Sequence, residues 1–204
     1  MIKALLIVAF IGHVICGYSD CLLSYGKKGR LDLKQIKDPQ KMREMFEDVP
    51  LWQPMASILL GTLSITAFTF GYMALSSWMY KYNPTLAYIM LTALVFFAVP
   101  IVVHHVICGM VEWFYIRFNR TDEAREIVFD FQKKTIITMV TGYAGLLVFL
   151  VCLLIAVVTK QTELPVWACV FNTLPLMLFL TPTKFAAKGN IAGAIMFLGL
   201  MILI

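Results

Sequence analysis

The sequence has few charged residues and no long polar segment. Asp, Glu, Lys and Arg together make up 14% of its 204 residues, whereas a soluble domain carries about a quarter. This shortage of charge excludes a separate soluble domain, because no stretch is polar enough to form the surface of one. It leaves a chain built almost entirely from apolar segments.

The sequence also lacks the common motifs of soluble enzymes. It contains no phosphate-binding glycine loop, no dinucleotide fingerprint and no Ser/His/Asp signature. Its three histidines form no His-x-x-x-His or His-Glu-x-x-His pair, which removes the usual helical zinc motifs. The five cysteines are an odd number and lie within apolar stretches, so they predict no disulfide framework.

What the sequence does have is a series of apolar runs. Runs near twenty residues are long enough to cross a bilayer as helices, and we count six. We therefore predict an all-α integral membrane protein with six transmembrane helices in one domain over residues 1–204. We expect the first run to be retained, since it is longer than a signal-peptide core and no cleavage site ends it. The runs cover about residues 2–25, 51–80, 84–116, 135–159, 164–180 and 185–204.

The basic residues predict the orientation of these helices. Fourteen of the seventeen lie in loops one, three and five, between residues 27 and 43, between 117 and 134, and at Lys184 and Lys188, and Lys34 belongs to the first group. The positive-inside rule places these loops in the cytoplasm and both termini outside the cell membrane. The lipid bilayer is thus the expected partner, a homodimer is a further expectation, and no nucleic-acid partner is needed to explain the basic loops.

One octapeptide occurs twice. His13-Val-Ile-Cys-Gly-Tyr-Ser-Asp20 returns 92 positions later as His105-Val-Ile-Cys-Gly-Met-Val-Glu112. Arg-Glu-x-x-x-Asp also precedes the second and fourth runs, from Arg43 and from Arg125, and predicts a short charged helix on the inner surface. These matches favour a parallel internal repeat of spans 1–2 and 3–4, followed by a C-terminal helical hairpin.

The repeat also selects candidate functional residues. On a helix, its first, fourth and eighth positions share a face, and ionisable groups in apolar helices are costly. If the first and third spans touch, the two histidines meet at one level and the two carboxylates at a lower one. The candidates for this polar cluster are His13, Asp20, His104, His105 and Glu112, with Cys16, Cys108 and Asn172 in a second group.

Three functions fit such a cluster. The first is proton-coupled or small-solute transport, because histidines and carboxylates form proton relays in membranes. The second is an intramembrane zinc hydrolase acting on a lipid, with His13, His105 and Glu112 as metal ligands. Ser19, Ser24 or the acidic residue that is not a ligand would act in its cleavage site. The third is a structural membrane protein in which every polar group is paired and no cavity exists.

Two stretches resemble an uncharacterised group of bacterial multi-pass membrane proteins. That group has a Gly-Asp-x-Leu-Leu-x-Tyr pattern at the end of its first span, and here Ser19-Asp20-Cys-Leu-Leu-Ser-Tyr25 is similar, with serine in place of glycine. Its second span begins with Pro-x-Trp, and Pro50-Leu-Trp52 is similar. The resemblance covers roughly the first 115 residues. It implies a bacterial inner-membrane protein and a role for Asp20, and it supplies no activity.

Overall fold

The computed structural model describes residues 1–31 and 37–204, so that Lys34 of the first basic loop lies outside the described residues. Within these ranges the chain is almost entirely helical, which confirms the all-α prediction. A small hairpin of two antiparallel strands with two residues each, β1 (Tyr25–Gly26) and β2 (Gly29–Arg30), follows the first helix. The helices are α1 (Ile2–Ser24), α2 (Pro39–Phe46), α3 (Trp52–Tyr80), α4 (Pro84–Arg117), α5 (Asp122–Thr135), α6 (Ile137–Val158), a 3₁₀ helix (Val166–Phe171), α7 (Thr173–Leu180) and α8 (Lys188–Leu203).

Helix starts follow from local sequence. The side chains of Asp38, Asn83 and Thr121 each accept a hydrogen bond from a backbone N–H in the first turn of the helix that follows. Such caps satisfy donors that have no partner inside the helix. Pro39 and Pro84 stand at the first helical position, where a missing N–H costs nothing.

Four stretches of helix within the described residues are long and apolar enough to cross a membrane: Ile2–Ser24, Trp52–Tyr80, Pro84–Arg117 and Asp122–Val158. The last joins α5 and α6 and has a break at Ile136. These helices have the length and composition of membrane spans, and the count of six is not confirmed. The sixth run forms α8, whose length is 16 residues.

The fifth predicted span is not one helix. Its first part is the 3₁₀ helix, and Asn172, in an extended conformation, separates this from α7. The Asn172 side chain donates to the carbonyl of Leu150 at 2.9 Å and accepts from the N–H of Leu174 at 2.9 Å. Since this side chain begins a new helix at Thr173, the apolar run is divided into two short pieces.

The long helices form a ring. α8 packs on α1, α1 on α3, α3 on α4 and α4 on α6, and the segment from the 3₁₀ helix to α7 joins α6 to α8. Gln53 ties two neighbours together, because its amide donates to the carbonyls of Leu22 at 2.7 Å and Tyr25 at 2.6 Å, at the end of α1. The ring leaves an interior that side chains must fill.

Aromatic rings fill part of that interior. The ring of Tyr72 lies 4.9 Å from that of Phe197, 5.0 Å from Phe149 and 5.5 Å from Phe97, all edge to face. Phe68 also contacts Tyr72, at 6.0 Å between centroids. We call Phe68, Tyr72, Phe97, Phe149 and Phe197 the aromatic cluster. Edge-to-face packing of this kind stabilises a core beyond the area that it buries.

Two short charged helices, α2 and α5, confirm the prediction of such helices before the second and fourth runs. They are tied by an ion pair between Arg43 and Asp122. Their apolar faces share a second, smaller core with the end of α4, in which Phe46 packs edge to face on Tyr115. The series α1, α2, α3 and the series α4, α5, α6 thus each consist of a long helix, a short charged helix and a second long helix.

Candidate functional site

A cavity of about 490 Å³ lies inside the ring of helices, next to the aromatic cluster. Phe68, Tyr72 and Phe97 line one end of it. Arg30 and Gly189, both exposed, line the other end, where the end of α1 meets the start of α8. The cavity therefore reaches from the middle of the bundle to the side that carries the first basic loop.

The structure brings all five leading candidates to this cavity. Cys16 and Cys108 of the second group line the cavity as well. Asn172 does not line it and instead caps the N-terminus of α7. The predicted residues in the wall are His13, Cys16, Asp20, His104, His105, Cys108 and Glu112.

His13 is held by a set of oriented hydrogen bonds. Asn190 of α8 donates through Nδ2 to Asp20 Oδ2 at 2.8 Å, and its Oδ1 lies 2.9 Å from His13 Nδ1. Because an amide oxygen can only accept, His13 must carry its proton on Nδ1. His13 Nε2 is then an acceptor for the hydroxyl of Tyr72 at 3.3 Å. The ring also stacks on Phe68 at 4.1 Å, so His13 is fixed in place.

His105 is held between two serines. Ser19 Oγ donates to the carbonyl of Ser57 at 2.9 Å, and Ser57 Oγ donates to the carbonyl of Ser19 at 2.9 Å. His105 Nε2 lies 3.0 Å from Ser19 Oγ and 3.1 Å from the Ser57 carbonyl. A carbonyl can only accept, so the contact with Ser57 is a hydrogen bond in the tautomer of His105 that carries its proton on Nε2.

This tautomer bears on the contact between His105 and Asp20. His105 Nδ1 is 3.5 Å from Asp20 Oδ1. A neutral ring with its proton on Nε2 would turn a lone pair toward a carboxylate, which is repulsive. In the tautomer with a proton on Nε2, the contact is therefore favourable when one further proton is shared between the ring and the carboxyl. His13, Asn190, Asp20 and His105 form a continuous chain of hydrogen-bonding groups that we call the His–Asp chain.

Ser19, His105 and Asp20 are arranged in the order of a hydrolytic triad. The serine, however, is fully buried and already donates to a carbonyl. Neither Ser19 nor Ser57 belongs to the described cavity wall. The hydroxyl therefore positions His105 and is not available to attack a substrate. Ser24, the other serine named for a cleavage site, does line the cavity.

Two glycines make room for the histidine rings. A Cβ atom on Gly61 of α3 would overlap the ring of His105, and one on Gly193 of α8 would lie 2.5 Å from Cε1 of His13. Each histidine thus occupies the space where a neighbouring helix has no side chain. Close packing against small residues is common between apolar helices, and here the packed group is an imidazole.

The third histidine and the second carboxylate lie on the α4 side of the cavity. His104 is half-buried, with Nε2 3.5 Å from Cys108 Sγ and Nδ1 3.4 Å from Thr138 Oγ1. Glu112 lies one turn beyond Cys108, and its buried Oε2 has no hydrogen-bond partner among the described residues. This carboxylate is the one member of the predicted cluster with an unsatisfied atom.

The expectation that the two histidines meet at one level is wrong. α3 packs between α1 and α4, and His105 pairs with Asp20, seven residues beyond His13 on α1. At about 1.5 Å per residue this is a displacement of roughly 10 Å. At the level of His13, α4 instead presents Phe97, which stacks on Phe68. Helix packing does not follow the alignment of the repeat.

The predicted metal set of His13, His105 and Glu112 is also not assembled. Within residues 1–31 and 37–204, no group of three or more histidine, cysteine or acidic side chains is arranged to hold a metal ion. The two rings are bound at different levels by Asn190 and by the serine pair, which separates the donors. The site is a hydrogen-bonded chain, and the zinc expectation finds no ligand geometry to support it.

Sequence reasoning missed the residues that connect the cluster. Asn190, Ser57 and Tyr72 are neutral side chains that the search for ionisable groups passed over. Ser57 and Gly61 stand four residues apart, with Ser64 three beyond, and all three are buried. This spacing of small residues marks the packed face of α3. A search for polar residues next to such a stripe would have found Ser57.

Long apolar helices around a cavity that contains three histidines and two acidic side chains define an all-α protein of membrane character. The chain belongs to DUF6796, a family of unknown function, whose family model matches residues 1–204. The resemblance to an uncharacterised family is thereby confirmed, while the bacterial origin and the first-span motif stay predictions. Comparison with curated proteins found no match, and comparison with solved structures found none.

Proposed function

We propose that the chain is a multi-pass protein of the cytoplasmic membrane, with residues 1–204 as a single transmembrane domain. Six segments enter the bilayer, loops one, three and five face the cytoplasm, and both termini lie outside. Exposed apolar side chains on the outer faces of the helices support lipid contact, among them Leu63 at 70% and Leu59 at 58% exposure. In water, exposed apolar surface on this scale is unfavourable.

The parallel repeat and the homodimer belong to the same proposal. The matching order of α1, α2 and α3 and of α4, α5 and α6 supports duplication. The C-terminal segments α7 and α8 stand outside the repeat and complete the ring. A dimer follows from the small number of segments for a carrier, and the bilayer is the first partner of each subunit.

We infer that the activity is proton-coupled transport of a small solute. The observation that carries this is the contact of 3.5 Å between His105 Nδ1 and Asp20 Oδ1 at the wall of the cavity, where the two groups can share a proton. A group that holds one proton beside a solute cavity can link the binding of the two, because loading either changes the charge that the other meets. His13 and Asn190 extend the same chain to the aromatic cluster.

The shape of the cavity fits one state of a carrier. The aromatic cluster occupies the bundle beyond the cavity, so solute and proton enter from the side of the first basic loop. Transport then requires the aromatic cluster to open toward the opposite side while the first side closes. Alternating access of this kind commonly proceeds by movement of one repeat against the other.

The two other functions have less support. A lipid-cleaving zinc enzyme needs a convergent ligand set, and within residues 1–31 and 37–204 no group of three or more histidine, cysteine or acidic side chains is arranged to hold a metal ion. Of the two serines named for its cleavage site, Ser24 lines the cavity, whereas Ser19 is buried and donates to a carbonyl. A purely structural role needs every polar group paired and no cavity, whereas the cavity has the unsatisfied Glu112 in its wall. A carrier of protons and a solute accounts for both the cavity and the unpaired oxygen of Glu112.

The test is proton movement in proteoliposomes that contain an entrapped pH-sensitive dye, under an inside-negative potential. Primary amines, amino acids, carboxylates and sugars are added outside in turn. We expect one class to drive proton uptake with the wild type, and uptake to be lost in Asp20→Asn and in His105→Gln. Asp130→Asn, at an exposed carboxylate of α5 that pairs with Lys134, is the matched control and should behave as the wild type.

Two outcomes would overturn the proposal. One is a wild type that moves no protons with any of the four solute classes, in liposomes whose passive proton leak is shown to be low. The other is proton uptake by Asp20→Asn that is as fast as uptake by Asp130→Asn. Either result would return the His–Asp chain to a structural role.

A further inference from the structure

We propose that the α4 side of the cavity binds the ammonium group of a small primary amine at Glu112. This deepens the proposed carrier function by naming its solute class, and the binding itself can be measured without transport. The starting point is the Glu112 carboxylate. It lines the cavity, and its buried Oε2 has no hydrogen-bond partner among the described residues.

An unpartnered carboxylate oxygen inside a protein is costly, and such groups are nearly always satisfied. Among the described residues, no ion pair includes Glu112. When Glu112 is ionised, both of its oxygens can only accept, so the missing partner is then a hydrogen-bond donor, and one that carries positive charge would gain most. A primary ammonium group has both properties, with three donors and no acceptor.

The surroundings of Glu112 favour the same charge. Tyr143 lines the same cavity, and ring faces attract cations. The ring of Phe129, also in the wall, already has the guanidinium of Arg125 at 5.8 Å from its centroid. Asp20 also lines the cavity, but it is already paired with His105 and Asn190. Glu112 is thus the acidic group that can meet an ammonium head, and the apolar residues of the wall are suited to an apolar tail.

The basic residues of the wall do not favour an anion. Arg30 donates to the carbonyl of Lys184 at 2.8 Å, and Lys188 donates to the carbonyl of Thr181 at 2.7 Å. Both lie at the end of the cavity that meets the surface, and each has one donor engaged there. Among the residues of the cavity wall, the buried polar atom without a hydrogen-bond partner is Oε2 of Glu112, so the complementary ligand of the ionised group is a donor.

The size of the cavity sets the size of the amine. A volume of about 490 Å³ falls within the range of about 300–1,000 Å³ that holds small organic ligands. Phenethylammonium, with one ring and a two-carbon chain, is small enough and presents both an ammonium group and an aromatic face. Its neutral counterpart, 2-phenylethanol, has nearly the same shape without the charge.

The experiment is calorimetric titration of the detergent-purified full chain with phenethylammonium and with 2-phenylethanol. We expect the ammonium to bind the wild type, and Glu112→Gln to weaken it about 10- to 100-fold, as expected when a charged hydrogen-bonded contact is lost. Glu126→Gln, an exposed position on α5, is the matched control and should bind as the wild type. The alcohol should bind equally weakly to all three proteins.

A second measurement does not depend on the folding of a variant. Cys108 lies one helical turn from Glu112 and lines the same cavity, so bound phenethylammonium should slow its modification by a small thiol reagent in the wild type. The alcohol should leave that rate unchanged. Equal affinity of wild type and Glu112→Gln, or equal protection by amine and alcohol, would overturn the ammonium site.

Failure of this inference is distinguishable from failure of the carrier proposal. Proton uptake driven by another solute class, without binding of phenethylammonium, would remove the ammonium site and leave the carrier. Binding that depends on Glu112 without any proton movement would retain the site and remove transport.

Discussion

The imidazole of His105 lies against the backbone of Gly61, where a Cβ atom of any other residue would overlap the ring. This contact allows a side chain from α4 to pass over α3 and reach Ser19 and Asp20 on α1. α3 thus separates α1 from α4 without isolating them. Because Gly61 has no side chain, residues of α1, α3 and α4 can meet in a single polar site.

Gly61→Ala should therefore destabilise the protein and displace His105. Overpacking a filled interior costs about 1–3 kcal/mol, and no flexible neighbour can yield, because the ring is held by two serines. Thermal unfolding in detergent measures the loss. Gly189→Ala is the control, since a Cβ atom there meets nothing within 4 Å. Equal melting temperatures for the two variants would contradict the contact.

Asn190→Leu should break the His–Asp chain at its centre. The change leaves both His13 Nδ1 and Asp20 Oδ2 without their partner, and an unsatisfied buried group costs about 1–3 kcal/mol. Combining it with Asp20→Asn tests the connection, because the double variant should lose less stability than the sum of the single changes. Additive losses in chemical unfolding would show that the two side chains act independently.

The wild type should resist labelling by a fluorophosphonate, a probe of nucleophilic serines. Ser19 is fully buried and donates its proton to the Ser57 carbonyl, so it has neither access nor a base free to activate it. Intact-protein mass spectrometry reads the result. A stoichiometric adduct on the wild type that is absent from Ser19→Ala would reverse this assignment and restore the hydrolase.

Arg120→Lys should weaken the contact between loop three, which carries Arg120, and the end of loop one. The Arg120 guanidinium donates to the carbonyls of Phe46 at 2.9 Å, Val49 at 3.2 Å and Glu47 at 3.3 Å. A lysine keeps the charge but cannot span three acceptors with a planar fork. We expect a loss of about 1–3 kcal/mol in chemical unfolding, and almost none for the exposed Arg117→Lys.

The helices and the principal polar residues could be predicted from the sequence. Apolar runs mark α1, α3, α4 and α6, because a long stretch without charge has few other stable structures. His13, Asp20, His105 and Glu112 could be selected because ionisable groups in such runs must serve a purpose. All four line one cavity.

The connections between those residues could not be predicted. Asn190 is a neutral residue beside a turn, and nothing in its local sequence indicates that α8 packs on α1. The octapeptide repeat suggested that His13 lies opposite His105, but the packing of α3 between α1 and α4 sets a different register. Asn172 divides the fifth run because its side chain caps a new helix. The apolar pattern of the run contains no signal for such a cap.

The short C-terminal helix has a consequence for the lipid around it. At about 1.5 Å per residue, the 16 residues of α8 extend roughly 24 Å, against a hydrocarbon core of about 30 Å. A helix shorter than the core is accommodated by local thinning of the bilayer. If α8 crosses the bilayer as proposed, the aromatic cluster, to which it contributes Phe197, stands in the thinned part of the membrane, and a proton carried from His13 to the opposite surface would cross a shorter distance there than elsewhere around the protein.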